Sequence, residues 1–189
     1  MAFDSAVLPF SPVLPFLPLT SDDVIQRLGL APLPGEGGFF RQTWIAPESI
    51  PAGVLGDRYP RAALVGTAIF YLVTDAPDGF SAMHRLPTDE VYHFYLGDPV
   101  EQLLLYPDGR SDVVVLGPDL TAGQRVQHVA PRDTWQGTRL CDGGRWALLG
   151  TTMAPGFDLR GYEAGDRAVL TAAFPQEATR IAALTREGR

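Results

Sequence analysis

Short runs of β-favouring apolar residues, each stopped by a turn signal, recur along most of the chain. The runs are Phe39 to Trp44, Thr67 to Val73, Glu90 to Tyr95, Glu101 to Tyr106, Ser111 to Leu116, Gln124 to Ala130, Thr134 to Arg139 and Trp146 to Met153. Strands at this frequency predict an all-β barrel or sandwich. Thr67-Ala-Ile-Phe-Tyr-Leu-Val73 is almost continuously apolar, the pattern of a strand buried on both faces. Pro107-Asp-Gly109 predicts a hairpin, because proline fixes one turn dihedral and glycine accepts a positive φ. Asp142-Gly-Gly144 reads as a second hairpin loop. Helical patterns stand near both ends. Thr20-Ser-Asp-Asp23 ahead of Val24 to Gly29 combines an N-cap, first-turn acids and a terminal glycine, and predicts a short helix closing one barrel end. Pro175 to Glu187 has proline at the first helical position and Ala178, Ile181 and Leu184 at helical spacing, and predicts a surface helix.

Ahead of the first helix the pattern has another period. Pro9, Pro12, Pro15 and Pro18 recur every third residue, which puts them on one face of a polyproline II helix, while Phe10, Val13, Phe16 and Leu19 share another. Four prolines and the lack of basic residues argue against a signal peptide or a membrane anchor. The expectation is an N-terminal arm over residues 1–19, packed across a neighbouring subunit or the outside of its own barrel, followed by one domain over 20–187.

Composition narrows the function. A chain of 189 residues with 46% hydrophobic content can bury one sizeable core. A net charge of −7 without a basic cluster argues against nucleic acid and anionic membranes as partners. All 15 cations are arginine, and the absence of lysine and asparagine excludes lysine Schiff-base chemistry and asparagine-linked glycosylation. The single cysteine, Cys141, cannot form an internal disulfide, which fits a cytoplasmic location. Nothing beside it in sequence would activate it as a nucleophile.

Candidate chemistry concentrates between Gly79 and Gly97, which hold His84, Glu90 and His93. A histidine nitrogen and a carboxylate brought together across the turn can hold a divalent metal or act as an acid/base pair on a ligand. Alternate residues of a strand face opposite ways, so an inward Glu90 carries Tyr92 with it and turns His93 outward.

His84, Glu90 and Gly97 stand in register with the first signature of the cupin superfamily, with Leu86 where its second histidine would be. Pro131-Arg-Asp133-Thr-Trp135-Gln136 resembles the second signature, Pro-x-Gly-x-x-His, with Gln136 in place of the histidine. Together with Leu28-Gly-Leu30, Glu36-Gly-Gly-Phe-Phe-Arg41, Tyr106-Pro-Asp-Gly109 and Leu149 to Phe157, these blocks resemble one cupin family of unassigned activity, DUF985, over residues 20 to 186. That family usually reads His-Pro-Glu-Gly-Gly near its start; this chain has Leu33-Pro-Gly-Glu-Gly-Gly38, with a residue inserted and the histidine lost.

The resemblance implies a jelly-roll barrel, the double-stranded β-helix of cupins, with short terminal helices. It implies that His84, Glu90 and Gln136 face one cavity, walled by Met83, Tyr92, Gln127 and Trp135, with His128 turned outward. Two readings of the cavity stay open: a mononuclear divalent metal (Zn, Fe, Ni or Mn) on His84, Glu90 and Gln136, and a metal-free pocket for a small polar ligand. His84 and Glu90 are the expected catalytic pair of an isomerase, epimerase or lyase acting on a sugar-like metabolite. The alternatives are a ligand-binding module without turnover and a structural or storage protein. In each case a homodimer or higher homo-oligomer is expected.

Overall fold

Strands that follow one another in sequence mostly lie in opposite sheets, and this alternation builds the fold. The structure, a computed structural model, describes residues 19–186. The arm expected over residues 1–19 therefore lies, apart from Leu19, outside the described residues. The strands in chain order are β1 (Ala31–Pro32), β2 (Phe39–Ile45), β3 (Ser49–Ile50), β4 (Ala63–Leu64), β5 (Thr67–Thr74), β6 (Ser81–Arg85), β7 (Glu90–Gly97), β8 (Val100–Leu105), β9 (Ser111–Leu116), β10 (Gln127–Ala130), β11 (Trp135–Leu140), β12 (Trp146–Met153) and β13 (Glu163–Ala164). One antiparallel sheet has the order β1-β2-β5-β12-β7-β10 and the other β13-β6-β11-β8-β9, while β3 and β4 form a separate two-stranded ribbon. From β5 to β12 the chain changes sheet at every connection except the β8–β9 hairpin, which is how a jelly roll closes its barrel.

The hairpin forms at Pro107-Asp-Gly109, with Gly109 at φ 87° and the Tyr106 N–H bonded to the Arg110 carbonyl at 2.9 Å. Asp142-Gly-Gly144 is a turn but not a hairpin, since it joins β11 of one sheet to β12 of the other. Between the sheets lies an apolar core that includes Tyr71, Val73, Leu104, Leu116 and Leu149.

Helices cover the outer faces. Helix α1 (Ser21–Leu28) has the expected capping box between Thr20 and Asp23 and ends on Gly29 in the left-handed conformation. Its Val24 packs with Leu30, Leu72, Trp146 and Leu148, so it lies against the outside of the six-stranded sheet rather than across a barrel end. The C-terminal segment is more than a surface helix. Helices α2 (Arg167–Ala173) and α3 (Ala178–Ala183) bury Leu170, Phe174, Ile181 and Leu184 against Met83, Leu103 and Leu105 on the outside of the five-stranded sheet. Among the described residues no helix is long and apolar enough to cross a membrane.

Candidate functional site

His84 sits on β6 with Gln136 of β11 as its ladder partner, so both side chains leave the sheet on the same side, into the barrel. Opposite them, Glu90 and Tyr92 point inward from β7, where Glu90 pairs with Met153 and Tyr92 with Thr151 of β12. The four side chains meet. Gln136 Nε2 donates to Glu90 Oε2 at 2.8 Å, the Tyr92 hydroxyl donates to the same oxygen at 3.3 Å, and His84 Nε2 stands 3.9 Å from it as an ion pair. All are nearly sealed: His84, Tyr92 and Gln136 are 2% exposed and Glu90 6%.

A carboxylate outside the expected set completes the cluster. Glu36 lies 4.0 Å from His84 Nδ1 through Oε1, which accepts a hydrogen bond from Ser81 Oγ at 2.7 Å. It is presented by the tight turn Gly35 to Gly38, where Gly37 has φ 104° and a Cβ would collide with the Phe80 carbonyl. Arg186 fastens this turn by donating to the Gly35 and Glu36 carbonyls at 2.9 and 3.1 Å. Glu36 falls in the Gly-rich block that marks the family resemblance, the available sequence signal for its role.

The electrostatics follow from this enclosure. His84 Nδ1–H donates to the Ala82 carbonyl at 2.8 Å, which fixes the ring and leaves Nε2 toward Glu90. Burial alone would lower the His84 pKa, but the Glu36 and Glu90 carboxylates and the Ala82 carbonyl outweigh it and raise the value to about 9. The two carboxylates therefore favour the protonated imidazole. Burial lifts the Glu36 carboxyl above its usual range, with the His84 charge partly offsetting it. The hydroxyls of Tyr71 and Tyr92 are also pushed well up, first by burial and then by the nearby carboxylates. Tyr162 stacks on the His84 ring at 5.3 Å between centroids and 17° between planes.

Three expected pocket residues lie elsewhere, each for reasons of strand parity. Met83 precedes His84 and Trp135 precedes Gln136, so both face outward: Met83 joins the core under α2 and α3, and Trp135 lies beneath the Arg85 guanidinium at 4.6 Å. Gln127 pairs with His93 on the outer face and donates to its Nδ1 at 3.2 Å. His128 is the inward neighbour, since it pairs with Tyr92, which corrects the outward placement expected for it. Its Nε2 is buried with no hydrogen-bond partner among the described residues, and burial lowers its pKa. His93 faces outward as alternation predicts, beside Thr152 and stacked on Tyr95.

A divalent metal does not fit the arrangement as it stands. His84 commits Nδ1 to a carbonyl, Gln136 turns its NH₂ to Glu90, and Glu36 stands on the Nδ1 side of the ring, so only Nε2 and the Glu90 carboxylate converge where such metals take at least three donors. Among the described residues no group of three or more His, Cys, Asp and Glu side chains is placed to hold a metal ion. Leu86, in the position of the signature's second histidine, is 4% exposed and apolar.

Two facing antiparallel sheets, threaded alternately by the chain around inward polar residues from β6, β7 and β11, define a cupin-type jelly-roll barrel. The chain belongs to the cupin superfamily, in the family described as DUF985, whose model matches residues 22–165. A hypothetical protein from Leishmania major has a similar structure, with 26% identity, 89% of this chain and 100% of that one covered, and a TM-score of 0.78. A protein from Shewanella oneidensis is equally close, with 26% identity, 90% and 99% covered, and a TM-score of 0.79. A cupin 2 conserved barrel domain protein from Rhodopseudomonas palustris shares the fold at 14% identity, with 84% and 91% covered and a TM-score of 0.52. No curated protein matches the chain in sequence.

Proposed function

We propose that the barrel carries out proton transfer on a small polar metabolite, in the class of isomerases, epimerases and lyases. The observation that carries this reading is the His84–Glu90 pair at 3.9 Å inside the barrel, with Glu36 4.0 Å from the other ring nitrogen. An imidazolium facing a carboxylate offers an acid and a base to one ligand. Glu90 takes a proton from the carbon next to a carbonyl, and protonated His84 gives one to the carbonyl oxygen. Tyr92 and Gln136 hold the Glu90 carboxylate in place by hydrogen bonds.

The test is solvent-deuterium exchange followed by proton NMR, with a panel of hydroxy-carbonyl metabolites including sugars and sugar acids. Deuterium is expected to enter one panel member, with the rate falling about 100-fold or more in Glu90→Gln and in His84→Gln. One observation favours a second reading, ligand binding without turnover: Glu90 Oε2 already accepts two hydrogen bonds and the pair is almost fully enclosed. A panel member that raises Tm yet never exchanges would establish that reading and remove catalysis.

Self-association belongs to the same proposal. The part of the six-stranded sheet not covered by α1 exposes Trp44 at 47%, Tyr95 at 45% and Val129 at 44%, an apolar surface suited to a second copy of the chain.

A further inference from the structure

The loop from residue 51 to 62, the 86–88 segment before β7 and the turn from 154 to 161 enclose a cleft of about 170 Å³. Its walls carry Arg58, Arg61 and Arg160, its only carboxylate is Asp158, and Met153 and Thr88 contribute to its lining. Asp158 is occupied: it accepts the Arg160 guanidinium through both oxygens and caps the turn by accepting from the Arg160 N–H at 3.0 Å. Among the described residues Arg58 and Arg61 make no ion pair within 4 Å, although Arg61 contributes to holding the Asp158 carboxyl below its usual range. The lining therefore keeps two positive charges that no acid within it balances, on a chain whose net charge is −7. Such an arrangement concentrates anions.

The cleft is built rather than incidental. Tyr59 fastens the loop by a 2.6 Å hydrogen bond between its hydroxyl and that of buried Thr88, and the Arg58 guanidinium lies over the Tyr59 ring at 5.1 Å. The same chain segments lead directly to the barrel site. Thr88 stands two residues before Glu90, Met153 is the ladder partner of Glu90, and the lining residue Gly161 precedes Tyr162, which stacks on His84.

From this we infer that the cleft is a binding site for a doubly charged anionic group, the phosphate or paired carboxylates of a small metabolite, held by Arg58 and Arg61. Two guanidiniums recognise such oxygens by paired charge-assisted hydrogen bonds, and the volume suits a small group rather than a large cofactor. The inference deepens the proton-transfer reading, on which it rests only for calling the anion part of a substrate. An anion anchored here holds the remainder of the molecule beside the barrel that contains His84 and Glu90.

Titration calorimetry and thermal melting of the full chain with inorganic phosphate and with malonate, at ionic strength held constant by chloride, test this. At least one of the two anions is expected to bind saturably and raise Tm, with Kd weakened about 10-fold in each of Arg58→Gln and Arg61→Gln and unchanged in Arg27→Gln on α1. Tighter binding of phosphate assigns a phosphomonoester, and tighter binding of malonate a dicarboxylate. No saturable binding of either, or binding unaffected in both cleft variants, overturns the site. Anion binding without deuterium exchange leaves the cleft standing and removes the catalysis; exchange without anion binding does the reverse.

Discussion

His84 carries the most informative single-residue chemistry. Its folded pKa of about 9 lies above the 6.5 of an unperturbed histidine, because two carboxylates and a carbonyl outweigh burial. With the folded value raised, the stabilisation is complete below about pH 6.5 and is lost as pH climbs through about 9. Urea midpoints are thus expected to fall between pH 6.5 and 9 in the native protein. In His84→Gln the decline over that interval should flatten; an equally steep one in the variant would show that another group titrates there. Asp133 offers a second lesson at this scale. It occupies the position that the cupin signature gives to glycine and takes φ 61°, a left-handed conformation that aspartate tolerates better than most side chains. Asp133 thus supplies a positive φ where the signature has glycine, and Gln136 arrives inside the barrel three residues later.

The C-terminal pair α2 and α3 shows what elements contribute beyond residues. Ile181 and Leu184 are 0% exposed, and the Leu184 carbonyl accepts a hydrogen bond from the Met83 N–H at 2.8 Å, one residue before His84. The pair therefore braces the strand that holds the candidate acid. Ile181→Ala is expected to cost about 2–5 kcal/mol, the range for emptying a closed apolar site, read from the shift of the urea midpoint. A cost below about 1 kcal/mol would mean that α3 is a loosely held cover. Helix α2 had a signal in the sequence that strand-by-strand reading passes over. Asp166 caps it by accepting from the Val169 N–H at 2.9 Å, and Leu170 and Phe174 follow at helical spacing.

At the scale of the whole molecule, the two sheet faces are treated differently. Helices α2 and α3 cover the outside of the five-stranded sheet, whereas α1 covers only part of the other, beside the hydrogen bond from Trp146 Nε1 to the Leu19 carbonyl. If a second copy covers the remainder, sedimentation velocity should give a dimer or larger species, and Trp44→Arg, which buries a charge in that contact, should shift it toward monomer by 10-fold or more in Kd. A monomer at all concentrations in the unmodified chain would remove self-association from the proposal.

The sequence by itself determined most of the barrel strands, though not the bounds of β6 or the two-residue β1, β3, β4 and β13, together with the hairpin at Pro107 to Gly109, the capped first helix and the family. Each depends on local spacing or on turn and cap chemistry, which neighbouring residues carry between them. Strand alternation also decided that His93 leaves the barrel if Glu90 enters it. The same alternation shows why Met83 and Trp135 cannot share a pocket with His84 and Gln136, since adjacent residues of one strand face apart. Only the tertiary structure decided the rest. Glu36 meets His84 across 48 residues of chain because the Gly35 to Gly38 turn folds over β6 and Arg186 fastens it there. The arginine cleft likewise gathers three segments, the outer two of them about 100 residues apart. Contacts at such separations are set by how the sheets close on each other, and no local pattern in the chain encodes them.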